Sequence, residues 1–215
     1  MDGLLIDSER YMWSKSMDIA AKEQGQILTD ELHKTFMGTS LDKVADILIH
    51  EYGNKFDPQL FFERSIELNK EIMKTGIPLM KGARELLDYL HSQKIKTCIG
   101  TSTARVGTMS LLKVDNLLDD FDGIVCGDEI ENGKPAPDIY LKCYEKFDVD
   151  KSEVLIFEDG QAGGEAALAA GMRLVLVPDL AYLSDDLKNR AFKVIEDLSK
   201  IIDVIKEENE RATSI

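Results

Sequence analysis

The sequence predicts an α/β protein: a doubly wound parallel sheet with a small α-helical domain inserted near its start. Three observations carry this. Residues 8–75 show helical periodicity and contain no convincing strand. From Ala83 onward, short continuous apolar runs alternate with amphipathic stretches, the pattern of a parallel sheet covered on both faces. Between the two, TGIPLMKGA (residues 75–83) breaks the rhythm with two glycines and a proline.

The elements follow in order. ERYMWSKSMDIAAKEQG spaces its apolar residues as a helix does and stops at Gly25. TDELHKTFMG and SLDKVADILIHEYG end at Gly38 and Gly53. Asp57-Pro58 supplies an N-cap and a proline at the first helical position, opening PQLFFERSIELNKEIMK. After the break, ARELLDYLHSQ is an amphipathic helix and IKTCIGT a short strand ending in hydroxyl residues. VGTMSLLKV reads as helix, FDGIVCGD as strand, APDIYLKCYEKF as helix and SEVLIFED as strand. QAGGEAALAAGM is a helix of small residues and RLVLVPD a strand; residues 184–210 close the chain with one or two helices. The predicted organisation is a core of residues 1–7 and 79–215 around a helical cap of residues 8–78.

Composition narrows the function. A chain of 215 residues, 44% hydrophobic and 31% charged, suits a globular protein with a real core. A net charge of −14 argues against nucleic acid or an anionic membrane surface as partner, since both need a basic footprint. The apolar runs fall short of the ~18–20 residues that span a bilayer, and acids stand where a signal peptide carries bases. Cys98, Cys126 and Cys143 have no metal-like spacing and suggest no disulfide framework, so a reducing cytoplasm is the expected location. His33, His50 and His91 sit in helical runs with no partner pattern. No amphipathic stripe is left over, and a monomer is expected.

Ligands of open α/β sheets bind beyond the carboxyl ends of the strands. Those ends offer Thr101-Ser102-Thr103, then Asp128 and Lys134, then Glu158-Asp159-Gly160, and Pro178-Asp179; the opening MDGLLIDSE adds Asp2-Gly3. Hydroxyls, amides and one ammonium suit a phosphoryl dianion. Asp2, Glu158 and Asp159 suit a hard divalent cation such as Mg²⁺, which takes carboxylates, water and substrate phosphate. Taken singly, Thr101-Ser102 reads as a helix cap and Lys134 as a solvated lysine. Their placement together at strand ends favours a small phosphorylated metabolite.

MDGLLIDSE, GTSTA, NGKPAPDIYL and LIFEDGQAGGEAALAAGM together resemble the haloacid dehalogenase-like hydrolase superfamily, in its branch of sugar phosphatases and β-phosphoglucomutase-like proteins, near the pseudouridine-phosphate phosphatases. The resemblance spans nearly the whole chain and implies a Rossmann-like core, a helical cap and Mg²⁺-dependent phosphatase chemistry. It also implies roles. Asp2 becomes the general acid and base, its carbonyl a Mg²⁺ ligand; Thr101 and the Ser102 amide hold the phosphoryl oxygens. Lys134 binds phosphate and neutralises the nucleophile, Asp159 binds the metal, and Glu158 is a ligand or stands just behind one.

One departure is large. The family motif is Asp-x-Asp-Gly, which puts the nucleophilic aspartate immediately before Met1, at the end of a central strand that these residues do not contain. Unpaired buried backbone groups cost roughly 1–3 kcal/mol each, against a total stability of ~5–15 kcal/mol for a typical domain. Three readings stay open: a start at an internal methionine, a genuine short product that binds phosphometabolites without turnover, or another segment in the strand's place. Gly160 and Gly164 are smaller departures in the last motif.

The cap is expected to set the substrate, with Tyr11, Met12, Trp13, Phe36 and Met37 as possible lining residues. Where the mutases carry a cap histidine and arginine, the matching positions are Met12 and Leu41, which favours hydrolysis of a sugar or nucleoside phosphate over phosphosugar mutase chemistry.

Overall fold

The structure, a computed structural model, describes residues 1–36, 39–53 and 55–213, with backbone alone from 208 on; Met37 lies outside them. It divides into two compact units, Asp7–Pro78 and Met1–Ile6 with Leu79–Ile215.

The first unit is helical. Its opening turns, Ser8–Ser14, are wound as a π-helix that runs into α1 (Lys15–Glu23). Helices α2 (Asp30–Phe36), α3 (Leu41–Tyr52) and α4 (Pro58–Ile72) follow. The Asp57 side chain accepts from the Leu60 amide at 3.1 Å, so α4 begins where a capping carboxylate and a proline dictate. Ala20, Ala21, Val44, Leu48 and Phe61 fill the interior. The Phe56 and Phe61 rings meet there with centroids 5.5 Å apart, in the tilted geometry aromatic pairs prefer. Met12 is buried, whereas Leu41 is exposed.

The second unit is α/β. After α5 (Ala83–Ser92) come β1 (Cys98–Gly100), α6 (Arg105–Val114), β2 (Gly123–Val125), α7 (Asp138–Tyr144), β3 (Leu155–Glu158), α8 (Gln161–Ala169), β4 (Arg173–Leu176), α9 (Asp185–Arg190), β5 (Lys193–Val194) and α10 (Ile201–Thr213). All pairings are parallel: β1 with β2, and β3-β4-β5 in that order. Among the described residues β1 and β3 share no ladder, and the sheet stands in two pieces. Residues 1–6 form a tight loop rather than a strand, with the amides of Leu5 and Ile6 both donating to the Met1 carbonyl, at 2.8 and 3.2 Å.

Strand β5 corrects the sequence reading, which expects only helix over residues 184–210. It is two residues long and exposed on both, so no apolar run announces it. Backbone bonds secure it, through Phe192 N to Leu174 O (2.8 Å) and Ile195 N to Leu176 O (2.9 Å).

One core joins the two sheets. Val125 beside β1, Ile156 from β3 and Leu174 and Leu176 from β4 pack with Ile139 of α7 and with Ala166 and Ala167 of α8. The small residues of α8 let that helix lie close, and Leu187 of α9 reaches Gly164.

The chain leaves this unit after Ile6 and re-enters at Leu79, and those two residues form an antiparallel bridge. Met80 N donates to Leu5 O at 2.9 Å. Within the helical unit, Asp7 N donates to Pro78 O at 2.8 Å. No helix among the described residues is long and apolar enough to cross a membrane.

Candidate active site

Strand β1 ends at Gly100 and delivers a run of hydroxyl residues. The Thr101 amide continues the ladder by donating to Val125 O at 3.0 Å, which fixes Thr101 in the interior. Its hydroxyl accepts from the Thr103 amide at 3.2 Å. The Thr103 hydroxyl in turn donates to Asp2 Oδ2 at 2.8 Å, drawing the first loop onto the end of β1. Ser102 is exposed, and its carbonyl lies so close to Gly127 that a Cβ there would overlap it.

Asp159 joins the same place through Gly3. That glycine has φ +69°, and a Cβ on it would overlap the Asp159 carboxylate. Only glycine meets both demands at low cost, a left-handed backbone and a carboxylate pressed against its Cα.

Lys134 spans the break in the sheet. Its ammonium lies 2.5 Å from Glu158 Oε1, at the last residue of β3, and 3.5 Å from the carbonyl of Gly100, the last residue of β1. The same Oε1 accepts from the Tyr140 hydroxyl, and the Lys134 ammonium sits 5.2 Å over the Tyr140 ring. Gly163 closes the far side of the Glu158 carboxyl, where a Cβ would overlap it. Burial, above all, and then the neighbouring Glu158 charge hold the Tyr140 phenol well above its ordinary pKa, so it stays protonated and donates.

Asp2, Thr101, Lys134, Glu158 and Asp159 are thus tied to the ends of β1 and β3 by bonds and close approaches. Of the acids expected at a metal, Asp2 and Asp159 stand beside Gly3, while Glu158, expected as a ligand or just behind one, faces the Lys134 ammonium. Among the described residues, no three His, Cys, Asp or Glu side chains come together as metal ligands. The physical reason lies at Glu158: it is 7% exposed, and its Oε1 is taken by an ammonium and a phenol.

Sequence reasoning places Thr103 among the strand-end hydroxyls without a role of its own and gives Tyr140 none. Thr103 carries a faint signal, since a hydroxyl two residues beyond Thr101 can turn back on it. Tyr140 carries none, because a tyrosine on the buried face of a helix reads as packing. Asp128, another strand-end carboxylate, accepts from the Arg105 amide at 2.9 Å and so holds the start of α6.

Residues 1–177 match the family described as haloacid dehalogenase-like hydrolase, and the chain belongs to that family. It is 33% identical over 205 residues to a Drosophila melanogaster protein named "Probable pseudouridine-5'-phosphatase", covering 93% of this chain and 87% of that one. It is also 33% identical over 175 residues to the "Phosphorylated carbohydrates phosphatase" of Thermotoga maritima, covering 81% of each. Among solved structures, a HAD-family hydrolase from Deinococcus radiodurans with bound phosphate and sodium superposes with a TM-score of 0.80 at 24% identity, over 96% of this chain and 93% of that one. The fold is thus the Rossmann-like α/β fold of this hydrolase family.

Proposed function

We propose that the protein is a Mg²⁺-dependent phosphatase that hydrolyses a small phosphomonoester, a sugar or nucleoside phosphate, through an aspartyl-phosphate. The observation that carries this reading is the convergence of Lys134, Thr101, Asp2 and Asp159 at the ends of β1 and β3. The names of the two phosphatase relatives supply the substrate class.

In this reading the Thr101 hydroxyl, the Ser102 amide and the Lys134 ammonium hold the phosphoryl oxygens, placing phosphorus in line for attack. The attacking carboxylate is the one the family pattern sets immediately ahead of Met1. Asp2, steadied by Thr103, protonates the departing alkoxide and then takes a proton from the water that cleaves the phosphoenzyme. The donors present fit a hard cation: Asp159, pressed against Gly3, and Asp2, the residue before it, offer oxygen ligands, while Glu158 is committed to Lys134. When bound, Mg²⁺ offsets the charge of the phosphoryl oxygens. The apolar residues Met12 and Leu41, where a mutase would carry a histidine and an arginine, support hydrolysis over mutase chemistry.

The test uses the chain extended by one aspartate before Met1. With Mg²⁺ it should hydrolyse p-nitrophenyl phosphate or acetyl phosphate, and Asp2→Asn should abolish turnover. Inactivity of the extended chain across a panel of small phosphate esters would end the phosphatase reading. Phosphate binding without turnover would leave a phosphometabolite-binding protein.

A further inference from the structure

We infer that Tyr140 is a positioning residue for phosphate binding: its hydroxyl locks Glu158, and Glu158 in turn aims the Lys134 ammonium at the phosphoryl site. This rests on the phosphatase reading for the identity of the ligand, but its argument is the packing around one carboxylate. Glu158 Oε1 receives two donors, the Lys134 ammonium and the Tyr140 hydroxyl. Gly163 bars the carboxyl from swinging toward α8. With the hydroxyl removed, the carboxyl gains freedom to rotate about its last bond, and the ammonium it holds gains freedom with it.

The placement of Tyr140 is itself constrained. The residue is 6% exposed, its ring carries the Lys134 ammonium on one face, and a Cβ at Gly100 would lie 3.4 Å from its Cε1. The ring therefore touches the end of β1 while the hydroxyl reaches the end of β3. Helix α7 thus sets the spacing between the two strand ends that Lys134 spans. A phenylalanine would keep every ring contact and lose only the bond to Glu158, which separates positioning from packing.

The experiment is a double-mutant cycle on the chain as it stands, read by calorimetric titration with inorganic phosphate in the presence of Mg²⁺. Tyr140→Phe should weaken phosphate binding about 10-fold, the low end of the loss seen when the residue behind a ligand-holding group is removed. Glu158→Gln should weaken it by a comparable factor. The double variant should bind no worse than Glu158→Gln alone, because Tyr140 acts only through that carboxylate. Thermal melts of Tyr140→Phe should remain cooperative and fall only by the few degrees that one buried hydrogen bond is worth. Unchanged affinity in Tyr140→Phe, or losses that multiply in the double variant, would overturn the inference and leave the phosphate site intact. A wild type that takes up no phosphate would overturn the site reading and this inference with it.

Discussion

The Thr103 hydroxyl donates to Asp2 Oδ2 at 2.8 Å, joining two residues separated by 101 positions in the chain. Asp2 sits in a short loop closed on the Met1 carbonyl, and this bond links its side chain to the end of β1. In the extended chain, Thr103→Val should lower kcat on p-nitrophenyl phosphate by about 10-fold or more while KM moves little, since a proton donor loses its aim but phosphate keeps its ligands. A change confined to KM would show that Thr103 serves binding instead.

Gly3 separates the loop from Asp159. Alanine there meets a left-handed backbone and the Asp159 carboxylate at once. Gly3→Ala should cost roughly 1–3 kcal/mol of stability from the backbone alone, measured by urea denaturation. It should also weaken Mg²⁺-supported phosphate binding, because the carboxylate must move. Wild-type stability and binding in this variant would mean that the loop relaxes freely.

The core was legible where burial dictates sequence. The short apolar runs within 98–100, 123–125, 155–157 and 174–177 marked four parallel strands, and Asp57-Pro58 marked the start of α4. Strand β5 escaped because two exposed residues bonded through their backbone leave no hydrophobic pattern. At the site, residue types and strand ends pointed to Asp2, Thr101, Lys134 and Asp159 together. What sequence left open was the partner of each group. Glu158 and Asp159 are adjacent acids that residue type alone does not separate and only the family resemblance tells apart; Glu158 faces the Lys134 ammonium while Asp159 abuts Gly3. Such a division depends on side-chain direction and on the distant Tyr140 hydroxyl, neither of which has a local signature.

Acid titration offers a separate check. The Lys81 ammonium, 2.6 Å away, and the Ser199 hydroxyl hold the Asp197 carboxyl down at about 2. An unfolded aspartate titrates near ~3.9. The folded value is the lower one, so this contribution to stability is full above about pH 4 and is lost as pH falls toward 2. Asp197→Asn should lose less stability than wild type across that window; parallel curves would show that the pair contributes nothing there.

The thiols should differ in reactivity. The sulfurs of Cys98 and Cys143 both lie near the Ile99 carbonyl, at 3.7 and 3.5 Å. A hydrogen bond from the Cys143 thiol lowers the pKa of Cys98, while the same contact and burial raise that of Cys143; burial raises that of Cys126. Iodoacetamide followed by peptide mapping should find Cys98 modified first. Cys143→Ala should slow that labelling by withdrawing the donor. Faster labelling of Cys98 in the variant would show that access, not thiolate character, sets the rate.

The paired crossings at Ile6 and Leu79 bear on how such a protein diversifies. Because the outgoing and returning segments are bonded to each other, the whole helical excursion hangs from the core as a closed loop whose ends are already together. Lengthening such a loop costs little, since closure entropy grows only with the logarithm of its length. The excursion is therefore a graft point. Helices there can be lost, gained or rebuilt over generations while Asp2, four residues inside the outgoing crossing, keeps its post.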